Sequence, residues 1–235
     1  MRIFAIGDLH LSFGETVEKP MDVFGGEWVD HAERLRQNWL KTVTDEDITV
    51  ICGDVSWGLR RDEAMADLDW VHELPGKKVF FKGNHDLWWQ SVGRLNKLYD
   101  DGAMSFIQCK AYMAGDVAIC GSRGWICPGS DGFSEHDRKI YDRELARLRL
   151  SLEDGKRQGA KEFIGVLHFP PTNDKHQSSD FTKLFEEYGV KKCVYGHLHG
   201  RDVFPNGLKG VLNGVEYRLV SLDYLQARPE EIWSM

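Results

Sequence analysis

The sequence predicts an α/β fold built on two sheets. Three features predict it: apolar runs alternating with helix-spaced segments over residues 3–99, a β-rich stretch around a Gly-Asp turn, and short β-like runs near the end. Alternation of strand and helix implies a parallel sheet, and the added β-rich segments imply a second sheet packed against it. The 235 residues are 42% hydrophobic and 29% charged, enough for a sizeable core. No repeat, low-complexity tract or linker interrupts them, so a single domain over residues 1–235 is expected.

Residues 3–7 are a compact apolar run that stops at Asp8-Leu9-His10, the pattern of a buried strand. Residues 11–26 carry Gly14, Pro20, Gly25 and Gly26 and read as a long loop of the kind that often serves function. Residues 27–42 place Trp28, Ala32, Leu35 and Trp39 at helical spacing. A second strand, 48–52, ends at Gly53-Asp54; a helix follows over 61–74. A third strand, 77–81, ends at Gly83-Asn84-His85-Asp86, and a third helix is expected over 87–99.

Residues 105–121 read as strands around a Gly115-Asp116 hairpin. Residues 124–132 are loop-like, and 135–158 form a charged amphipathic helix whose alternating signs mark a solvated face. Strand 163–167 ends at His168. A short helix over 180–188 precedes strand 192–195, which ends at Gly196-His197-Leu198-His199. Val211-Leu212 and the run from Tyr217 are expected to close the fold as antiparallel strands.

The formal charge of −7 argues against a general nucleic-acid-binding surface, while leaving room for a local basic patch. Five cysteines without a CxxC, three of them in apolar runs, read as reduced thiols of a cytoplasmic protein. The N-terminal apolar run is too short for a signal sequence, and no stretch approaches the ~18 apolar residues of a membrane span.

Five apolar runs thus each stop at a metal-competent cluster. Ligands of open α/β sheets bind outside the carboxyl ends of the strands, and one parallel sheet would bring those ends to a single edge. Asp8, His10, Asp54, Asn84, His168, His197 and His199 would then converge. This mixed oxygen and nitrogen set suits Zn, Mn, Fe, Co or Ni more than Ca. Seven ligands exceed what one such ion takes; two ions sharing one carboxylate would receive four each. Two divalent ions also outweigh the two aspartates, leaving a positive site that attracts a phosphate ester. Alone, each cluster also reads as an ordinary polar turn or cap, Asp8-Leu9-His10 and Gly53-Asp54 more so than the denser GNHD and GHLH. In GHLH, side chains at i and i+2 of an extended segment point the same way, so one loop could reach two ions.

DLH, GDVSW, GNHD, a strand-end histidine and GHLH, in this order from Asp8 to His199, resemble the calcineurin-like metallophosphoesterases. The resemblance implies a four-layer α/β/β/α double β-sandwich with two divalent metals. It implies that Asp8, His10 and His199 hold one ion, Asn84, His168 and His197 the other, and Asp54 both. It further implies in-line attack on phosphorus by a metal-bridging hydroxide, with His85 assisting the leaving group and Asp86 orienting His85. The chain departs from the Ser/Thr protein phosphatases, because Gly53-Asp54-Val55-Ser56-Trp57-Gly58 lacks their GDxVDRG continuation. Its fourth motif, His168-Phe169-Pro170-Pro171, has one histidine where several relatives have two.

Trp57 and Arg123 lie in loops expected to border the site, as a stacking wall and a phosphate contact, with core packing and a surface salt bridge as the plainer readings. Trp88 and Trp89 share the choice between wall and core. His31 and His72 fall on helices, and His136 and His176 in or near loops. The implied substrate is a phosphomonoester or phosphodiester. A nuclease of the same family and a non-catalytic scaffold are the alternatives; scaffolds of this family tend to lose the histidine at the position of His85 or some ligands, and this chain keeps them all.

Overall fold

In the computed structural model, which describes residues 1–234, the chain forms two compact units, Met1–Phe106 with the tail from Val220, and Ile107–Leu219.

The first unit is built on a five-stranded sheet. Strands β1 (Arg2–Ile6), β2 (Ile48–Ile51), β3 (Lys77–Phe80) and β4 (Met104–Phe106) run parallel in that order, and β11 (Glu230–Ser234) pairs antiparallel with β1 at the edge. Every residue of β2 is buried, as a continuous Ile-Thr-Val-Ile run requires of a strand covered on both faces. Helix α1 (His31–Thr42) lays Leu35 and Trp39 against this sheet, and α2 (Arg61–His72) lays Ala64, Leu68 and Val71. Each large side chain so buried contributes roughly 1.5–3 kcal/mol.

The second unit carries six strands in the order β5-β6-β7-β8-β10-β9. Strands β6 (Val117–Gly121), β7 (Glu162–Val166), β8 (Lys192–Tyr195) and β10 (Val215–Leu219) are parallel; β5 (Ala111–Ala114) and β9 (Gly210–Leu212) are antiparallel edges. The expected hairpin is present, with Ala114 opposite Val117 and Gly115 at φ 58°. Helix α4 (Glu135–Arg157) starts at Ser134, whose hydroxyl accepts the Asp137 N–H, and buries Tyr141, Leu148 and Leu152 against Phe181 and Phe185 of α5 (Asp180–Glu187).

Three expectations need correction. The helix expected over 87–99 shrinks to one turn, α3 (Val92–Leu95). Trp88 is drawn under the GNHD loop by a bond to Asp86, and Trp88 and Trp89 pack on Phe106, so tertiary contacts override the helical spacing. Strand β10 lies parallel to β8 rather than antiparallel to it. The five cluster-bearing strands also belong to two sheets, not one: β1, β2 and β3 to the first, β7 and β8 to the second. Among the described residues no disulfide joins any of the five cysteines, and burial pushes the Cys120 and Cys127 thiols up to about 12. No helix among the described residues is long and apolar enough to cross a membrane.

Candidate metal centre

The parallel ladder of β1 and β2 does not stop where the strands do. Asp8 N–H donates to the Gly53 carbonyl (2.9 Å), His10 N–H to Asp54 (3.0 Å), Leu11 N–H to Val55 (2.9 Å) and Trp57 N–H back to Leu11 (2.9 Å). The DLH and GDVSW segments are therefore zipped together, so their side chains are presented from a fixed backbone. Asp8, His10 and Asp54 are all buried. Ligand atoms of Asp8 and His10 lie within 4.8 Å of each other, as do those of Asp8 and Asp54. This aspartate–histidine group could hold a metal ion.

The GNHD loop is tied to the same frame. Asp86, fully buried, accepts N–H groups from Asp54 (2.9 Å), Val55 (2.9 Å) and Gly83 (2.8 Å), and the Trp88 indole N–H (3.1 Å). These bonds make Asp86 a brace between two loops, work beyond the orienting of His85 that the resemblance implies. Asp54 accepts the main-chain N–H of His85 at 2.8 Å. Gly83 is required by close approach: a Cβ there would stand 2.0 Å from Asp54 Oδ1. Asn84 is half-buried and His85 exposed, its ring 4.6 Å from Trp57 and 5.8 Å from His10.

In the second unit, His168 is fully buried at the end of β7. Its N–H donates to the Arg123 carbonyl (3.0 Å), and its own carbonyl accepts from Gly196 (3.1 Å). His168 Nε2 and His197 Nδ1 stand 3.3 Å apart. Two nitrogens bound at ~2.0–2.1 Å to one tetrahedral ion would be separated by about 3.3 Å, so this pair fits ligation of a single metal. His199 follows half-buried in the same loop.

Backbone strain gathers on the proposed ligands. Among the described residues ten non-glycine residues have positive φ, and Asp8 (60°), His10 (46°), Asp54 (52°) and His197 (72°) are four of them. Such conformations cost of order 1–3 kcal/mol each and persist where the surroundings impose them, commonly at functional sites. His197 sits at the centre of a three-residue turn closed by Leu198 N–H to the Gly196 carbonyl (2.9 Å). The extended GHLH segment expected from the sequence is thus corrected: the chain turns at His197, and i, i+2 alternation does not aim the two imidazoles.

A family model for calcineurin-like phosphoesterases matches residues 1–201. The chain belongs to that family. Phosphoesterases of this family act on phosphate esters and generally bind two metals, so the chain is a phosphoesterase-class hydrolase. It is 31% identical over 206 residues to the Gene 66 protein of Mycobacterium phage D29, covering 85% of this chain and 79% of the relative. Among solved structures, phosphopantetheinyl hydrolase (PptH) from Mycobacterium tuberculosis aligns at TM-score 0.58 and 16% identity, covering 100% of this chain and 96% of that one. A protein of unknown function, AQ665 from Aquifex aeolicus, aligns at TM-score 0.51 and 16% identity over 97% and 94% of the two chains. TT1561 of Thermus thermophilus aligns at TM-score 0.54 and 11% identity over 84% and 82%. These likenesses bear on the fold, and the double β-sandwich class expected from the sequence holds.

The structure also identifies supporting residues of this phosphoesterase that motif reading passes over. His31 is buried on α1, with Nε2 3.0 Å from the carbonyl of Leu9, between Asp8 and His10, and Nδ1 3.2 Å from that of Trp28. Burial pushes its pKa down. The spacing of His31, Leu35 and Trp39 on one face could have flagged it as inward-facing. Buried Asp67 on α2 accepts the Ser56 hydroxyl and the Phe13 N–H (2.6 Å), linking the loops after Asp54 and His10. Trp57 stacks on His10 (4.6 Å, 16°). The Arg123 guanidinium lies over Trp125 (4.5 Å) and 3.7 Å from buried Glu144. His72 pairs with Asp101 at 2.7 Å, while His136 and His176 are exposed.

Proposed function

We propose that this phosphoesterase hydrolyses a phosphomonoester or phosphodiester at a two-metal centre within one catalytic domain, residues 1–235, in a reducing cytoplasm. In this reading Asp8, His10 and His199 hold one ion, Asn84, His168 and His197 the second, and Asp54 is shared. The donor set of carboxylate, amide and imidazole fits Mn, Fe, Zn, Co or Ni. When bound, such ions supply positive charge to the phosphate oxygens and lower the pKa of water.

The chain's own residues do the rest. The zipped DLH and GDVSW backbones fix Asp8, His10 and Asp54, so little reorganisation accompanies substrate binding. His85, exposed beside Trp57 and anchored through its main-chain N–H to Asp54, protonates the departing oxygen at an imidazole nitrogen. Asp86 keeps the His85 loop in register with Asp54. Arg123, through its carbonyl, positions His168; a guanidinium contact to phosphate would require it to leave Glu144.

The observation that carries this reading is the gathering of left-handed backbone at Asp8, His10, Asp54 and His197. The test is metal-reconstituted protein on p-nitrophenyl phosphate and bis-p-nitrophenyl phosphate with Mn, Co, Ni and Zn in turn. Metal-dependent turnover of either ester is expected; its absence with every metal would overturn the proposal. A parallel assay on single-stranded DNA separates a nuclease from a small-ester hydrolase.

A further inference from the structure

We propose that Lys19 determines specificity by reading a second anionic group on the leaving-group side of the substrate. The inference rests on the function proposed above, because it takes His85 as the proton donor to the leaving oxygen. Whatever surrounds His85 then surrounds the leaving group. The indole of Trp57 is 4.6 Å from the His85 ring and stacks on His10. Its Nε1–H donates to Met21 Sδ at 3.3 Å, which fixes the ring against the loop that carries Lys19. The Lys19 ammonium lies over that indole, 5.0 Å from the ring centroid.

Three properties separate Lys19 from an ordinary surface lysine. It is held by a cation–π contact, so its position is restricted at small cost. Among the described residues no carboxylate forms an ion pair with it, although the protein carries a net charge of −7. It is exposed, and its indole platform touches both a proposed metal ligand and the proposed proton donor. An ammonium with three donors and no carboxylate partner among the described residues, held over the indole that His85 also faces, is complementary to a phosphate or carboxylate on the leaving group. The aromatic ring beneath it also explains why Trp57 need not stack on a base: its surroundings are already occupied by His10, Lys19 and His85.

The test compares wild type, Lys19→Met and Lys19→Arg on p-nitrophenyl phosphate and on 4-carboxyphenyl phosphate, whose leaving group is anionic. Taking the variant-to-wild-type ratio within each substrate cancels the leaving groups' intrinsic reactivity. Lys19→Met should lower kcat/KM for the carboxylated ester about tenfold more than for the nitro ester, mainly through KM, and Lys19→Arg should restore most of the difference. The selectivity should shrink as salt is raised. An equal effect on both esters would overturn the proposal and reduce Lys19 to a support for Trp57. Calorimetry of the metal-loaded protein with inorganic phosphate and with pyrophosphate keeps the two readings apart. Lys19→Met should weaken pyrophosphate more than phosphate; equal weakening counts against Lys19. Lack of turnover on every ester, with this binding difference intact, counts instead against the phosphoesterase function.

Discussion

The carboxylate of Asp86 accepts the main-chain N–H of Asp54 at 2.9 Å, so the residue after the proposed proton donor holds up the residue proposed to bridge the metals. Three further donors, from Val55, Gly83 and the Trp88 indole, converge on the same two oxygens. Asp86→Ala would leave all four buried without this acceptor, each orphan costing about 1–3 kcal/mol before relaxation. A loss of at least about 3 kcal/mol is expected in urea unfolding, together with loss of bound metal measured by atomic emission. A variant that melts like wild type and keeps its metal would refute the bracing role.

His85→Ala should behave in the opposite way. The bond from His85 to Asp54 uses the main-chain N–H, which alanine retains. The ring is exposed, so its removal opens no core cavity. Metal content and unfolding midpoint should stay at wild-type values while turnover falls by about 10²–10⁴-fold, the usual share of general acid catalysis. Loss of metal would show that the imidazole is a ligand.

The contrast between these two residues shows what a sequence displays and what it hides. Strand ends were legible because a buried parallel strand must be an unbroken apolar run, and Gly-Asp or Gly-His interrupts it visibly. The seven candidate ligands followed from those interruptions. Asp86 was visible as a carboxylate, but its partners are main-chain N–H groups, which every residue has. The helix expected over 87–99 failed for a related reason: Trp88, Val92, Leu95 and Tyr99 keep helical spacing, yet the bond from Trp88 to Asp86 ties the chain elsewhere. The left-handed turn at His197 was hidden as well, since nothing in the residue pattern GHLH specifies which of its positions takes a positive φ.

Lys78 offers a test of the frame away from the site. Its ammonium, in a residue 1% exposed, donates to the carbonyls of His72 (3.1 Å), Leu74 (2.6 Å) and Gly76 (2.9 Å), closing the C-terminal end of α2. Burial opposes the charge and pushes its pKa down to about 8. Lys78→Met relieves that cost but strands three acceptors. The net expectation is a loss of about 1–3 kcal/mol in urea unfolding with unchanged kcat. Stability equal to wild type would mean that the carbonyls find other donors.

Asp67 sets a pH dependence whose sign can be worked out. The carboxyl is fully buried, and burial pushes its pKa up to about 6, against the opposing pull of the Ser56 and Phe13 bonds. The unfolded value is near ~3.9. Between the two, the native state holds more protons than the unfolded state, so this group lowers stability as pH rises from about 4 to 6 and adds no further change above that. Asp67→Asn cannot ionise; its amide oxygen can still accept the Phe13 N–H. The stability of wild type minus that of the variant, from urea midpoints at pH 4.5 to 7.5 with the same metal in excess, should therefore fall across pH 4.5–6 and then level off. A difference that stays constant, or grows with pH, would show that Asp67 is ionised throughout and that the Ser56 and Phe13 bonds outweigh its burial.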